Sequence, residues 1–232
     1  MDISGTNVFS LRKKEFEFQP GPIFTNLLLA DEINRATPKT QSALLEVMAE
    51  RQVTVEGKTH QLPPPFLVIA TMNPLDHQGT YVLPAAQMDR FSMQLTVGFP
   101  PPEAEMEMLD VHLAEKPPVD DLESVLDMSQ FLSWQALVPQ VFISEQVKGY
   151  LVALANHIRS DSRCLAPPSP RAVLMLARVS QAAALTAGRD YVTPTDVQGV
   201  APDVLAHRLI ISGDDVGHAY VAEAMDKVTV PQ

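Results

Sequence analysis

The sequence has 232 residues, 46% of them hydrophobic and 19% charged, a composition typical of one large or two small globular domains. Its net charge of -11 disfavours broad electrostatic binding to the phosphates of nucleic acids. Cys164 is the only cysteine, which excludes an internal disulfide and fits a reducing compartment. The N-terminus has no signal-peptide pattern and no apolar run could span a bilayer, so we expect a soluble, cytoplasmic protein.

The first half of the sequence alternates between strand and helix patterns. Residues 7–18 alternate apolar and polar side chains about a turn at Lys13-Lys14, which predicts a β-hairpin, and residues 53–62 predict a second one about Gly57. Thr37 as N-cap and Pro38 at the first helical position predict a helix. Three short apolar runs predict buried strands of a parallel sheet, the first of them covered on both faces: Leu27–Ala30, Phe66–Ala70 and Gln94–Val97.

After Pro102 the pattern becomes helical. One helix is predicted from Ser169-Pro170 to Ala187, where Gly188 ends it, and a capping box at Thr193 opens another. A third has apolar residues at the 3.6-residue period of a buried helix face: Val147, Tyr150, Leu151, Leu154 and Ile158. We therefore predict an α/β domain over residues 1–102, followed by a linker and a small all-α domain over residues 103–232.

Two acidic residues, Asp31 and Glu32, directly follow the first apolar strand. Side chains at the carboxyl ends of parallel strands lie where α/β sheets bind ligands. One carboxylate there can hold Mg²⁺ through water, and the next can polarise an attacking water molecule. The alternative is a pair of acids that solvate a strand-to-helix turn.

Three further polar residues stand at places where an anion could bind. Asn73 ends the next buried strand, where it can orient a water molecule or contact a phosphate, or serve as a turn residue before Pro74. Arg90, with Phe91 as its anchor, is expected to project outward, either in a surface salt bridge or toward a neighbouring phosphate. Arg171 lies in the first turn of a predicted helix, where free N–H groups and a cation together favour an anion, or where the side chain simply points away into solvent.

In this order the motifs resemble those of AAA+ ATPases, and of the MoxR family in particular. Residues 27–36, L-L-L-A-D-E-I-N-R-A, resemble a Walker B strand, and residues 69–74, I-A-T-M-N-P, resemble sensor 1. Residues 79–91 resemble the arginine-finger region of the MoxR family, and S-P-R-A at 169–172 resembles its sensor 2. The two hairpins resemble the helix-2 insert and the pre-sensor 1 hairpin.

The resemblance implies an AAA+ core followed by a helical lid, with ATP and Mg²⁺ as cofactors. Asp31 matches the acid associated with Mg²⁺ and Glu32 the base that activates water. Asn73 matches sensor 1, Arg90 the finger that reaches a neighbouring subunit's γ-phosphate, and Arg171 the sensor 2 residue of the lid. Such enzymes act as rings, here expected to be hexamers, and remodel client proteins, among them proteins with a von Willebrand factor A domain.

The sequence departs from the family in one respect, because no segment of it fits the phosphate loop G-x-x-x-x-G-K-[ST]. We expect that loop, and the first two strands of the sheet, upstream of Met1, and we expect this chain alone to bind ATP weakly or not at all. One alternative is a non-catalytic interaction module that lends Arg90 to a neighbour. Another is a DNA-remodelling relative whose hairpins touch DNA, which the acidic charge disfavours.

Overall fold

The computed structural model describes residues 3–73, 81, 83–113, 122–213 and 217–231. The chain forms two compact units, Met1–Phe91 and Ser92–Gln232. The division lies before the predicted boundary after Pro102, because the intervening segment already bonds to the helical unit. The backbone N–H of Gln94 donates to the carbonyl oxygen of Asp203 at 2.9 Å, and Met93 packs against the helical core.

In its described residues the first unit combines two antiparallel hairpins with a parallel pair of strands and two α-helices. Both predicted hairpins are confirmed. In chain order the elements are β1 (Gly5–Ser10), β2 (Glu15–Pro20), β3 (Leu27–Ala30), α1 (Pro38–Glu50), β4 (Gln52–Val55), β5 (Lys58–Gln61), β6 (Leu67–Ala70) and α2 (Ala85–Met88).

Helix α1 begins and ends on local signals. The Thr37 hydroxyl accepts a hydrogen bond from the backbone N–H of Thr40 at 3.3 Å, and Pro38 occupies the first turn, as predicted. Arg51 ends the helix in a left-handed conformation with φ of 54°. The helix buries Leu44 and Val47, which pack in two small cores with the sheet and the hairpins.

Strands β3 and β6 run parallel, with Ala30 opposite Ala70 at their carboxyl ends. The prediction that β3 is covered on both faces is wrong. Leu28 packs on the core of the unit, whereas Leu27 and Leu29 are 56% and 64% exposed. The physical reason is that side chains alternate across a strand, and in the described part of this unit only one face of the sheet carries a packed layer.

The predicted strand Gln94–Val97 does not form. Leu95 and Val97 are largely exposed, and the N–H of Gln94 bonds to Asp203 rather than to a strand. A strand needs a hydrogen-bonded neighbour, and among the described residues the parallel sheet contains β3 and β6 alone. The run therefore has the composition of a strand, but the described residues provide no neighbouring strand with which it could pair.

The second unit is mainly helical, and its helix starts agree with the predictions. Gly188, at φ of 74°, follows the helix that begins at Pro170, and the capping box at Thr193 is present. A short antiparallel ribbon, which the sequence pattern did not indicate, is added to the helices. The elements are α3 (Pro102–Leu113), α4 (Met128–Leu137), α5 (Glu145–Ser160), β7 (Cys164–Ala166), α6 (Pro170–Thr186), α7 (Pro194–Leu205), β8 (Ile210–Ile211) and α8 (Gly217–Lys227).

One continuous core holds the second unit together. The apolar stripe predicted for α5 is buried and meets apolar residues from α6, α7 and α8. Its fully or almost fully buried members include Leu154, Ile158, Leu176, Val197, Leu205 and Val221. The α/β unit followed by a helical unit confirms the predicted fold class. None of the helices in the described part of the chain has the length and apolar character that crossing a bilayer requires.

Candidate functional site

The carboxyl ends of β3 and β6 bring three of the predicted site residues, Asp31, Glu32 and Asn73, to one edge of the sheet. Because the strands are parallel and in register, Asp31 and Thr71 follow them side by side. The Thr71 N–H donates to the carbonyl oxygen of Ala30, and the Ile33 N–H donates to that of Thr71, both at 3.0 Å. The ladder therefore continues past the strands and fixes the backbone of Asp31 and Glu32.

The Thr71 side chain joins the two acidic residues. Its hydroxyl donates to Oδ1 of Asp31 at 2.5 Å and accepts from the backbone N–H of Glu32 at 2.9 Å. The hydroxyl thus acts both as a donor and as an acceptor, which sets the orientation of the Asp31 carboxylate relative to the backbone of Glu32. The sequence pattern predicts no role for Thr71, since its contact with Asp31 crosses 40 residues of chain.

Glu32 adopts a left-handed backbone conformation, with φ of 48° and ψ of 53°. For a residue with a side chain this conformation costs about 1–2 kcal/mol, so neighbouring bonds must hold it. The hydrogen bond from its N–H to Thr71 is one such bond. Its carboxylate is half-buried and forms an ion pair with Nε of Arg35 at 3.2 Å.

Asn73 lies two residues beyond Thr71, at the same edge of the sheet. Its carbonyl oxygen accepts a long hydrogen bond, 3.5 Å, from Nδ2 of Asn34, which follows Glu32 in the same turn as Ile33. The carbonyl oxygen of Asn34 accepts from the N–H of Tyr81 at 2.6 Å. The turn after β3 therefore contacts Asn73 and Tyr81, which flank residues 74–80; those residues and residue 82 lie outside the described part of the chain.

The sequence predicted that Arg90 projects outward. In the structure its side chain instead lies against its own unit. Its Nη1 donates to the carbonyl oxygen of Leu45 in α1 at 2.6 Å. The side chain borders a cleft of about 330 Å³ together with Glu46 and Gln87. The predicted anchoring by Phe91 agrees with the structure, because Phe91 packs on the core that contains Leu44. The attraction between Arg90 and a helix carbonyl, which no local pattern shows, accounts for the difference.

Arg171 belongs to the second unit and is exposed in the first turn of α6. The Ser169 hydroxyl caps this turn by accepting from the N–H of Ala172 at 3.2 Å, and Pro170 occupies the first helical position. The cap satisfies one of the N–H groups at the helix start. The predicted anion site at this helix end stays a prediction.

An ion pair fixes the turn between α6 and α7. Arg189 donates to both carboxylate oxygens of Asp196, at 2.5 and 2.7 Å, and the N–H of Thr193 donates to the same carboxylate at 2.7 Å. The bonds from Arg189 are the main cause that lowers the pKa of Asp196 to about 2, although burial opposes the shift. The sequence predicted the capping box but not its ionic partner.

A second charged network ties the ribbon to the last helix. Arg163 donates to Oδ2 of Asp161 at 2.8 Å and to Oε1 of Glu223 at 2.9 Å. The bonds from Arg163, followed by one from Lys227, lower the pKa of Glu223 to about 2. This network is structural, since it joins elements within the helical unit.

Family comparisons cover both units. Residues 1–93 match the model of the ATPase family associated with various cellular activities (AAA), and residues 162–227 match an AAA lid domain. The chain is 42% identical to the uncharacterized protein YeaC of Bacillus subtilis (strain 168), over 99% of this chain and 73% of that protein. It is 41% identical to the chaperone MoxR1 of Mycobacterium tuberculosis, over 92% of this chain and 58% of that protein.

A solved structure extends the likeness to the fold. The crystal structure of a "putative ATPase" from Cytophaga hutchinsonii is 34% identical, covers 100% of this chain, and gives a TM-score of 0.90. This chain covers 74% of that structure. The chain therefore spans between about three fifths and three quarters of the length of these relatives.

Proposed function

Because this chain belongs to the MoxR family of AAA+ ATPases, we propose that the strand end at Asp31 and Glu32 supplies the hydrolytic residues of its ATPase site. The observation that carries the proposal is the Thr71 bridge, which orients one carboxylate and positions the next residue at the carboxyl end of a parallel strand. The name of MoxR1 supports a chaperone activity, so we propose that hydrolysis drives remodelling of partner proteins.

The donor chemistry at this strand end fits Mg²⁺. Asp31 presents an exposed carboxylate, and magnesium prefers oxygen ligands, commonly one or two carboxylates with water and substrate phosphates. No cluster of three or more metal-ligating side chains occurs in the part of the chain that the structure describes. Bound Mg²⁺ would neutralise charge on the phosphates of ATP. Asp31 would hold it directly or through water.

Glu32 is suited to act as a general base. Its backbone is held in a strained conformation, so the carboxylate is placed by the turn rather than by a flexible loop. A carboxylate at this place can accept a proton from the attacking water molecule. Arg35, which pairs with Glu32 in the structure, would have to release it or share it.

The remaining predicted residues keep proposed roles. Asn73 would orient the water molecule or a phosphate, and Arg171 would bind phosphate at the start of α6. Arg90 would act on the nucleotide of a neighbouring subunit in a ring, proposed as a hexamer. That role requires its guanidinium to exchange the carbonyl of Leu45 for the phosphate. A von Willebrand factor A domain protein is the proposed client.

The 232 residues contain no phosphate loop, which favours a second candidate for this chain by itself: a non-catalytic module. Calorimetry separates the two. With Mg-ATP, the chain as it stands should give no binding heat at micromolar protein. Joined to an N-terminal segment that carries G-x-x-x-x-G-K-[ST], it should bind and hydrolyse ATP.

Glu32→Gln tests the proposed base in that joined form. ATP binding should persist, because the amide has the same shape, while turnover should fall about 10²–10⁴-fold, because the amide cannot accept the proton. Glu107→Gln, on the exposed helix α3, is the matched control and should keep full turnover. Turnover of the Glu32 variant within a few-fold of the parent would show that Glu32 is a structural turn residue.

A further inference from the structure

The outer end of the β1–β2 hairpin presents apolar and basic side chains together. Phe9 and Phe16 are cross-strand partners whose rings meet edge to face at 5.3 Å, yet they are 47% and 70% exposed. Leu11, 85% exposed, begins the turn that continues as Arg12-Lys13-Lys14. We name these six residues the hairpin tip. It is a basic, aromatic surface on a chain whose net charge is -11.

The base of the same hairpin is anchored, so the tip is held in place. Phe18, on the face that carries Phe9 and Phe16, stacks on His60 of the second hairpin at 4.0 Å with an interplanar angle of 19°. Nδ2 of Asn7 donates to Oε2 of Glu56 at 2.5 Å. Anchoring lowers the entropy that a partner would have to remove on binding.

The tip residues are unfavourable for an isolated hairpin. Lys14 has φ of 55°, a conformation in which glycine is preferred and a side chain costs about 1–2 kcal/mol. These exposed aromatic rings and the exposed turn leucine add little burial to the fold. Lys13 pairs with Glu17, but in the described part of the chain neither Arg12 nor Lys14 forms an ion pair. The side chains of Arg12 and Lys14 are therefore available to pair with acidic groups of another molecule.

We propose that the hairpin tip binds an acidic polypeptide segment that carries an apolar side chain. Phe9, Leu11 and Phe16 would contact the apolar side chain, and Arg12 and Lys14 would pair with the carboxylates on either side of it. A polypeptide fits better than a nucleic acid, because the tip offers two cations without an ion pair beside three apolar side chains, whereas nucleic-acid binding rests on many cations along a run of phosphates. The segment is the recognition element of a partner protein, and in that respect the inference rests on the proposed chaperone function.

The experiment uses the whole chain and a synthetic peptide in which Phe-Leu is flanked on both sides by Asp-Glu. Binding is measured by isothermal titration calorimetry without nucleotide, so a failure of ATP hydrolysis does not affect it. We expect saturable binding that weakens at least tenfold in Phe9→Ser/Phe16→Ser and in Arg12→Glu/Lys14→Glu, and that weakens with added salt. A peptide with Asn-Gln in place of Asp-Glu should bind less tightly.

Matched controls change the same residue types elsewhere. Phe99→Ser removes another exposed phenylalanine, and Lys148→Glu/Arg178→Glu reverses two exposed cations of the helical unit. Both should leave binding unchanged, and circular dichroism should show that every variant is folded.

Three results would overturn the proposal. The first is absent binding of the acidic peptide, or equal binding by all the variants. The second is tip-dependent binding of oligothymidylate in place of the peptide, which would make the tip a nucleic-acid surface. The third is a change in association state of the tip variants, seen by sedimentation, without peptide binding, which would make a second copy of the chain the occupant.

Discussion

The two units of the chain differ in how completely they bury their apolar residues. In the helical unit a single core extends from Val141 to Ala224. The first unit divides its buried residues between two small cores and leaves Leu27 and Leu29 on an open sheet face. The proposed hydrolytic residues Asp31 and Glu32 lie on the less buried unit, and Glu32 has a strained backbone. Low local burial and strain at a functional site commonly occur together, since activity and stability make different demands.

The largest effect should come from the core of the helical unit. Leu154 in α5 is fully buried, so Leu154→Ala removes apolar contacts and leaves a cavity. We expect the free energy of unfolding of this unit to fall by about 2–5 kcal/mol. Hydrogen exchange followed by mass spectrometry, in increasing urea, should show the loss of protection in α5, α6 and α7.

Leu174→Ala is the matched control, because Leu174 lies on the exposed face of α6. It should change the same free energy by less than about 0.5 kcal/mol. Equal losses for the two variants would mean that the helical core is loosely packed and that the contrast between the units is wrong.

A smaller effect should come from the ion pair that fixes the turn between α6 and α7. Asp196 has its pKa lowered from 3.8 to about 2, so its pairing with Arg189 contributes stability above about pH 4. That contribution should be lost as the pH falls from about 4 to about 2, where the folded carboxylate becomes protonated. By linkage, this pKa shift corresponds to about 2 kcal/mol of the free energy of unfolding.

Asp196→Asn checks this pH dependence in urea titrations of the helical unit. At pH 7 the variant should be about 2 kcal/mol less stable than the parent, and near pH 2 the difference should nearly vanish. Asp190→Asn changes an exposed acid in the same turn, and the pH dependence of its free energy of unfolding should match that of the parent. A difference that persists unchanged at low pH would assign the loss to packing rather than to charge.

Features governed by residues close in sequence were predicted. The caps at Thr37, Ser169 and Thr193 each join a side chain to a backbone N–H three residues on, so the sequence shows both partners. The two hairpins also follow from alternation about a short turn. These local signals were sufficient to predict both halves of the fold.

Features governed by distant residues were not predicted. The Thr71 hydroxyl bonds across 40 residues to Asp31, and Arg90 bonds across 45 residues to Leu45. Nothing near Thr71 or Arg90 in the sequence indicates these partners. The strand prediction for Gln94–Val97 was wrong for a related reason. Its composition favours a strand, but a strand forms only when a neighbouring strand supplies its hydrogen bonds. The roles of the predicted site residues in catalysis stay predictions.

The smallest effect should come from Leu29, on the open face of the sheet, and Leu28, on the packed face of the same strand, serves as its matched comparison. Leu28→Thr places a hydroxyl against the packed core and should destabilise the first unit by about 2 kcal/mol or more. Leu29→Thr places the same hydroxyl in solvent, and threonine favours strands, so the change should stay within about 0.5 kcal/mol. Hydrogen exchange in α1 and β6 measures both. If Leu29→Thr costs as much as Leu28→Thr, the second face of the sheet is covered in solution, and the contrast in burial between the two units does not hold.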